Sequence, residues 1–398
     1  MPAIIRFEIE KKELYMWNKI SDKVRKLKPS AIRKYFSIPD DAITLGIGEP
    51  DFATPPKAMA AAIHSLEAKE THYTANSGLF ELRESISDYL FDLYNVRYDA
   101  KDEIIATVGA SEALFLAVTT VVNPGDEIIV ITPCFVSYPA CVNLAGGVPV
   151  EVECSLEDNF DINISKVEAA ITEKTKGFLI GFPSNPTGAV ATRETLQKLC
   201  DLADKYDLCV IADEIYGRLV YGQEHVCFAS LKGAFDRCII VNGLSKSHAM
   251  TGLRIGYLAA PENLMIQAYK IHQYLIMSAP TTSQRAAATA LRECEDDVKA
   301  MIAEYDRRRK MLVQRLNAIG LTTFEPKGAF YAFPQITSTG LSSEQFADRL
   351  LEEEKVAVIP GAGFGKGGEG FIRISYAASY EKIEKALDRI ECFVKRYR

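Results

Sequence analysis

RCIIVNGLSKSHAMTGLRIGYLAA, residues 237–260, is the stretch on which the reading of this chain turns. Two apolar runs of strand length, RCIIVNG (237–243) and RIGYLAA (254–260), are joined by a segment of small and polar residues. Lys246 stands in that segment, with Ser245 before it and Arg254 eight positions on. A lysine alone is ordinarily a surface charge. A hydroxyl and a guanidinium beside it suit a phosphate held next to an amine, because a guanidinium meets phosphate through two oxygens. Such surroundings also lower a lysine's pKa, which favours attack on a carbonyl.

Working outward, the same alternation of short apolar runs and helical patterns begins near residue 100. EIIATV (103–108), EIIVIT (127–132), GFLIGF (177–182) and DLCVIAD (207–213) read as strands. SEALFLAVTTVV (111–122) and Thr192 to Tyr206 read as helices, and Asn123-Pro124-Gly125-Asp126 is a turn signal. Strands without strict polar alternation, separated by helices, predict a mostly parallel α/β sheet covered on both faces. Ligands of such sheets bind beyond the carboxyl ends of the strands. The residues just past those ends are Gly109-Ala110-Ser111, Phe135, Asn185, Asp213 with Tyr216, and Ser245 with Lys246.

Each has an ordinary reading and a chemical one. Asp213 ends an apolar strand: it is a cap for the next turn, or a carboxylate that keeps a ring nitrogen protonated. Tyr216 packs in the core or donates to a ring hydroxyl. Gly109-Ala110-Ser111 closes a strand and opens a helix, whose free N–H groups and dipole make a phosphate cradle. Asn185 in FPSNPTGAV (182–190) belongs to a proline turn or donates to a phenolic oxygen.

Past residue 282 the pattern changes. A long helical stretch with a break runs from Thr282 to about Ile319, followed by short strands at Ala329–Phe333 and Phe371–Ser375 and a helix near Glu344–Glu353. The division predicted is a large domain over 46–282 and a smaller α+β domain formed by 1–45 and 283–398. Arg373 lies inside the strand FIRISYA (371–377), where an arginine needs a partner: a salt bridge, or a substrate carboxylate at a domain boundary. Gly363-Phe364-Gly365-Lys366-Gly367-Gly368 satisfies G-x-G-x-x-G, but a strand follows it instead of a helix, so it reads as a loop or hairpin and not a dinucleotide site.

Composition excludes several classes. The chain is 48% hydrophobic and 25% charged with a net charge of −7, which argues against a nucleic-acid binder. Arg307-Arg308-Arg309-Lys310 reads as a solvated helix face. Nine cysteines without a Cys-x-x-Cys pair read as buried, reduced thiols, and five histidines without His-Glu-x-x-His give no support for a metal site. MPAIIRFEIEKKELYMW lacks the apolar run and cleavage site of a secretory leader, and no stretch approaches a membrane span, so a cytoplasmic location is expected.

Taken in order, GIGEPDFATP (46–55), HYTANSGLFELRESI (72–86), VGASEALF (108–115), PCFVSYP (133–139), FPSNPTGAV, ADEIYGRLVY (212–221), LSKSHAMTGLRIGY (244–257) and FIRISYA span nearly the whole chain. Their combination resembles the class I/II aminotransferases of the fold type I pyridoxal phosphate (PLP) enzymes. The resemblance implies that Lys246 is the Schiff-base lysine and later the proton shuttle between Cα and C4′. It implies that Asp213 partners the pyridinium nitrogen, that Tyr216 and Asn185 donate to the ring oxygen, and that Phe135 stacks on the ring. Ala110, Ser111, Ser245 and Arg254 match the phosphate site. Arg373 matches the α-carboxylate anchor, helped by Asn185 and the backbone near Gly48. Tyr73 matches a tyrosine that reaches the phosphate of a neighbouring subunit, which implies a homodimer. The reaction implied is ping-pong transfer of an amino group from an amino acid to a 2-oxo acid.

The substrate is less legible. Some dicarboxylate-specific relatives carry a lysine on the helix after the phosphate cradle, whereas Ser111 to Val122 has no basic residue. This favours aromatic, other neutral or diaminopimelate-type substrates over strict aspartate, unless an arginine from elsewhere, such as Arg33 or Arg285, serves a second carboxylate. LSKSHAMTG and IHQYL are also similar to aromatic and diaminopimelate-type transaminases. Two alternatives stay open at this point: a PLP-dependent carbon–sulfur β-lyase using the same lysine, and a non-catalytic aminotransferase-like binding module.

Overall fold

The computed structural model describes residues 19–27, 32, 35, 39 and 41–398; the run 1–17 and Arg33 lie outside them. The strands are β1 (Ile43–Thr44), β2 (Ile104–Thr107), β3 (Glu127–Thr132), β4 (Val148–Glu153), β5 (Thr175–Gly181), β6 (Cys209–Asp213), β7 (Cys238–Gly243), β8 (Gly256–Ala259), β9 (Tyr331–Ala332), β10 (Val356–Ala357), β11 (Ile359–Pro360) and β12 (Ile372–Ser375). Among the described residues the largest sheet has seven strands, ordered β2-β8-β7-β6-β5-β3-β4, and β8 alone runs against the others. Parallel neighbours need a crossover, and the 244–255 connection contains no α-helix to provide one. RIGYLAA therefore returns beside RCIIVNG as an antiparallel strand.

The apolar runs bury both of their faces. Ile129, Phe178, Val210, Ile240 and Ala259 join one core, while their chain neighbours Ile128, Leu179, Ile211, Ile239 and Leu258 join the other. This is why the sequence lacks polar alternation: both sides of the pleat face helices. Helices Gly109–Val121, Ser137–Ala145 and Glu262–Leu275 cover one face, and Phe80–Tyr94 and Arg193–Lys205 the other. β4 escaped the sequence reading. Its run VPVEVE is a half-exposed edge strand whose proline and acids mask a weak period of two.

The break expected in the long helical stretch falls at Cys294, between helices Thr281–Glu293 and Glu295–Ala318. β9, β12 and β11 form an antiparallel sheet, and β1 pairs with β10. The glycine-rich segment joins β11 to β12, its Gly365 and Gly367 at φ 91° and 76°. Two expectations are corrected. The 307–310 group is not a uniformly solvated face: Arg308 pairs with Asp51 at 2.8 Å and Arg309 with Asp306 at 2.7 Å, both arginines being buried. Successive helical residues point about 100° apart, so four basic residues in a row wind right round the helix. The cysteines are all free, but Cys392 is exposed on the last helix, and Cys141 and Cys209 are only half-buried. No helix of the described residues is long and apolar enough to cross a membrane.

Candidate active site

The chain passes from β3 to β4 in one direction, then crosses to β5, β6 and β7 in the other. Crevices form at such reversals. Here a cavity of about 610 Å³ opens beyond the strand ends. It gathers Ala110 and Ser111 after β2, Phe135 after β3, Asn185 after β5, Asp213 and Tyr216 after β6, and Ser245 and Lys246 after β7. Gly48, Arg254 and Arg373 complete the wall. Tyr73 lies outside it, 76% exposed on the surface.

Lys246 donates from Nζ to the Gly48 carbonyl at 2.6 Å. Burial pushes its pKa down to about 8, with the charges of Arg373 and Arg254 acting in the same sense and Glu49 and Asp213 opposing. A neutral, nucleophilic amine is therefore a sizeable fraction near pH 8. The loop that presents it is pinned by Thr54 Oγ1 donating to the Ala249 carbonyl at 2.8 Å. Ala249 and Arg254 sit at φ 50°, a left-handed conformation that costs a non-glycine residue ~1–2 kcal/mol. Strain of this kind gathers at functional loops. If the free amine limits attack on an aldehyde, the rate at which cofactor-free protein takes up PLP should rise about tenfold from pH 7 to pH 9. Stopped-flow absorbance would read this, and a rise of about a hundredfold, as an ordinary lysine gives, would count against a depressed one.

Asp213 accepts from the Tyr138 hydroxyl at 2.9 Å and from the Ile215 N–H at 3.1 Å. Burial raises its carboxyl to about 6, while the two donors hold it lower than burial alone would. A buried carboxylate facing a cavity stabilises a cationic ring nitrogen placed beside it. Tyr138 was not singled out in the sequence. It lies in PCFVSYP, three residues after Phe135, and glycine at 181 makes room for it, since a Cβ there would strike its hydroxyl.

Helix Gly109–Val121 brings its N-terminus to the cavity, where Ala110 and Ser111 line the wall. Its first N–H groups have no intrahelical acceptor. Gly109, at φ 73°, lets Arg254 approach so closely that any Cβ would collide with the guanidinium. Arg254 Nη1 donates to the Thr251 carbonyl at 2.9 Å, and the described residues provide it no carboxylate partner. The helix's acidic Glu112 turns away, accepting from the Val108 N–H at 2.6 Å and meeting His272 Nδ1 at 2.8 Å.

Arg373 is 2% exposed and also lacks a carboxylate partner among the described residues. It donates to Asn185 Oδ1 at 2.9 Å and to the Gly46 carbonyl at 2.6 Å, leaving Nε without an acceptor. The ring of Tyr331 lies 4.5 Å from its guanidinium carbon, and Phe364 of the glycine-rich loop 5.1 Å. Burial lowers its pKa. A buried, under-partnered guanidinium at a cavity wall is a receptor for an anion. Arg285, by contrast, is consumed on the surface by Glu70 and Glu81, and it does not line the cavity.

Residues 40–390 match the family model "Aminotransferase class I and II". The chain belongs to that family. It is 46% identical over 378 residues to an aspartate aminotransferase of Pyrococcus abyssi, covering 94% of this chain and 97% of that protein. It is 42% identical to aromatic-amino-acid aminotransferase 2 of Thermococcus litoralis, covering 94% and 98%. Among solved structures, the aromatic aminotransferase from Pyrococcus horikoshii superposes with a TM-score of 0.88 at 44% identity, covering 92% and 99%. The protein is thus a PLP-dependent aminotransferase, and its fold is that of these enzymes. The cavity fits the cofactor, because its lining brings together an anion-seeking helix N-terminus with Arg254, a buried carboxyl and a buried amine.

Proposed function

We propose that the aminotransferase handles aromatic, other neutral or diaminopimelate-type amino acids in preference to acting strictly on aspartate. The observation that carries this is the cavity's cation count. Among the described residues its basic side chains are Lys246, Arg254 and Arg373, and each already has a task. Lys246 is the residue joined to the cofactor. Arg254, Ser245, Ser111 and the backbone at Ala110 hold its phosphate, and Arg373 with Asn185 and the Gly48 backbone takes the substrate α-carboxylate. A side-chain carboxylate would find no fourth cation among the described residues that line the cavity, while Ile32, Ile47 and Val136 offer apolar wall.

Bound PLP supplies an electron-withdrawing ring that accepts the electron pair left when the substrate's Cα–H bond breaks. Asp213 holds the ring nitrogen's proton, Tyr216 and Asn185 donate to the ring oxygen, and Phe135 covers the ring. Lys246 would hold the cofactor and, once the substrate amine has taken its place, would take up and hand back the substrate's Cα proton. A second oxo acid then runs the same steps backwards, giving ping-pong kinetics.

The division at 46–282 against 1–45 and 283–398 is proposed with this reading, because Arg373 reaches the cavity from β12 while the cofactor groups come from the large sheet. A homodimer is proposed as well. Tyr73 stands exposed beside a surface bearing Tyr274 at 93% and Met277 at 57% exposure, joined to it by Asn76 Nδ2 donating to the Ile276 and Met277 carbonyls. A partner would cover these residues and receive Tyr73 at its phosphate site.

A donor panel with 2-oxoglutarate as acceptor tests the specificity. Phenylalanine or tyrosine should exceed aspartate in kcat/KM by about tenfold, equivalent to ~1.4 kcal/mol of differential transition-state binding. Aspartate matching or leading the panel would refute the preference, and dominant pyruvate release from cystathionine would refute transamination as the main reaction.

A further inference from the structure

Tyr331 lines the cavity but has no part in the reading above. It stands on β9, outside the large sheet, yet its hydroxyl lies 2.7 Å from that of Tyr216 at the end of β6. The ring is 1% exposed and rests against the Arg373 guanidinium. Its hydroxyl fits only because residue 48 is glycine, since a Cβ there would collide with it. Among the described residues, Tyr216 is its hydrogen-bond partner.

Two phenols sharing one hydrogen bond leave one proton uncommitted. Which phenol donates decides where that proton points. The more acidic hydroxyl is the better donor, and Arg373 sits against Tyr331. Burial raises both phenols and Arg373 opposes this at each, but the guanidinium lies directly against the Tyr331 ring, 4.5 Å from its centroid, which favours Tyr331 as the donor and Tyr216 as the acceptor. We propose that Tyr331 is a positioning residue which, by donating to Tyr216, commits the Tyr216 hydroxyl proton to the ring oxygen of the bound cofactor. The inference rests on the role proposed for Tyr216, and it adds a residue and a direction to that role.

The test reads the visible absorption band of the PLP-loaded protein as a function of pH. Donation by Tyr216 favours the deprotonated, more anionic form of the joined cofactor. Tyr331→Phe weakens that donation, so the midpoint should rise by about 0.5–1 pH unit. Glu49, Arg373, Arg254 and Asp213, the charged groups facing Lys246, are untouched by the substitution. In a Tyr216→Phe background the same change should move the midpoint by less than about 0.2 unit, because the route through Tyr216 is gone. Should Tyr331→Phe fail to fold, fluorotyrosine at 331 keeps the hydroxyl, makes it more acidic and should lower the midpoint. An unchanged midpoint, or an equal shift in both backgrounds, would overturn the inference. A wild-type protein with no such band would instead overturn the proposed site itself.

Discussion

Lys246→Ala is expected to lower kcat/KM for transamination by about 10⁴, the upper end of what one positioned proton carrier contributes. Two losses combine. On the roles proposed for it, the amine that attacks the cofactor is removed, and so is the base that takes the substrate's Cα proton. Among the described residues the pocket has no understudy: Arg254 and Arg373 are its other cations, and a guanidinium does not give up its proton near neutral pH. Holding the cofactor should suffer much less. Ser245, Arg254 and the N-terminus of helix Gly109–Val121 are separate from the substituted atoms. The variant should therefore retain PLP through its phosphate, with the absorption of the free aldehyde in place of the lysine adduct. Gel filtration followed by a visible spectrum and a donor assay reads both effects. Retention of more than about a tenth of wild-type activity would move the proton transfer to another residue.

The parts of this candidate site that are legible in the sequence share a property: each lies within a few residues of the end of an apolar strand. A strand buried on both faces is an uninterrupted apolar run, so its last residue is easy to find. A parallel sheet then delivers all such ends to one edge. Asp213, Asn185 and Lys246 were found in this way although they lie far apart in sequence. Arg373 was found by the opposite logic, a charge in the middle of an apolar strand.

What escaped had no such marker. Tyr138 and Tyr331 are ordinary aromatic residues among many, and each matters because of a neighbour supplied by another element: Asp213 for the first, Tyr216 and Arg373 for the second. Contacts of that kind are set by how sheets and helices are juxtaposed, which local patterns do not encode. The direction of β8 was hidden for the same reason. An apolar run of four residues reads alike in either sense, and the helix-free connection after β7 was the available clue. Arg308 and Arg309 were misread because a run of charges says nothing about which turn of the helix packs inward.

Asp213→Asn should separate stability from catalysis. In the folded protein without cofactor, burial raises this carboxyl to about 6, above the ~3.9 of an unfolded chain. A raised folded-state pKa contributes stability below the unfolded value, and that contribution is lost as pH rises through about 6. At pH 7 the cofactor-free wild type thus carries the cost of a buried, ionised Asp213, with ~3 kcal/mol as an upper limit. Asparagine cannot ionise, and it can still meet both Tyr138 and the Ile215 N–H. The cofactor-free variant should melt a few degrees higher than wild type at pH 7, and the difference should shrink below pH 4. With PLP bound the order should reverse, because the cationic ring nitrogen then loses its buried counter-charge. Activity should fall by about 10²–10³, the usual cost of removing one aimed electrostatic group. Melting curves at both pH values, with and without PLP, read the three effects separately. A variant that melts below wild type in the cofactor-free state at pH 7 would mean that Asp213 is held by its two donors more strongly than burial opposes it.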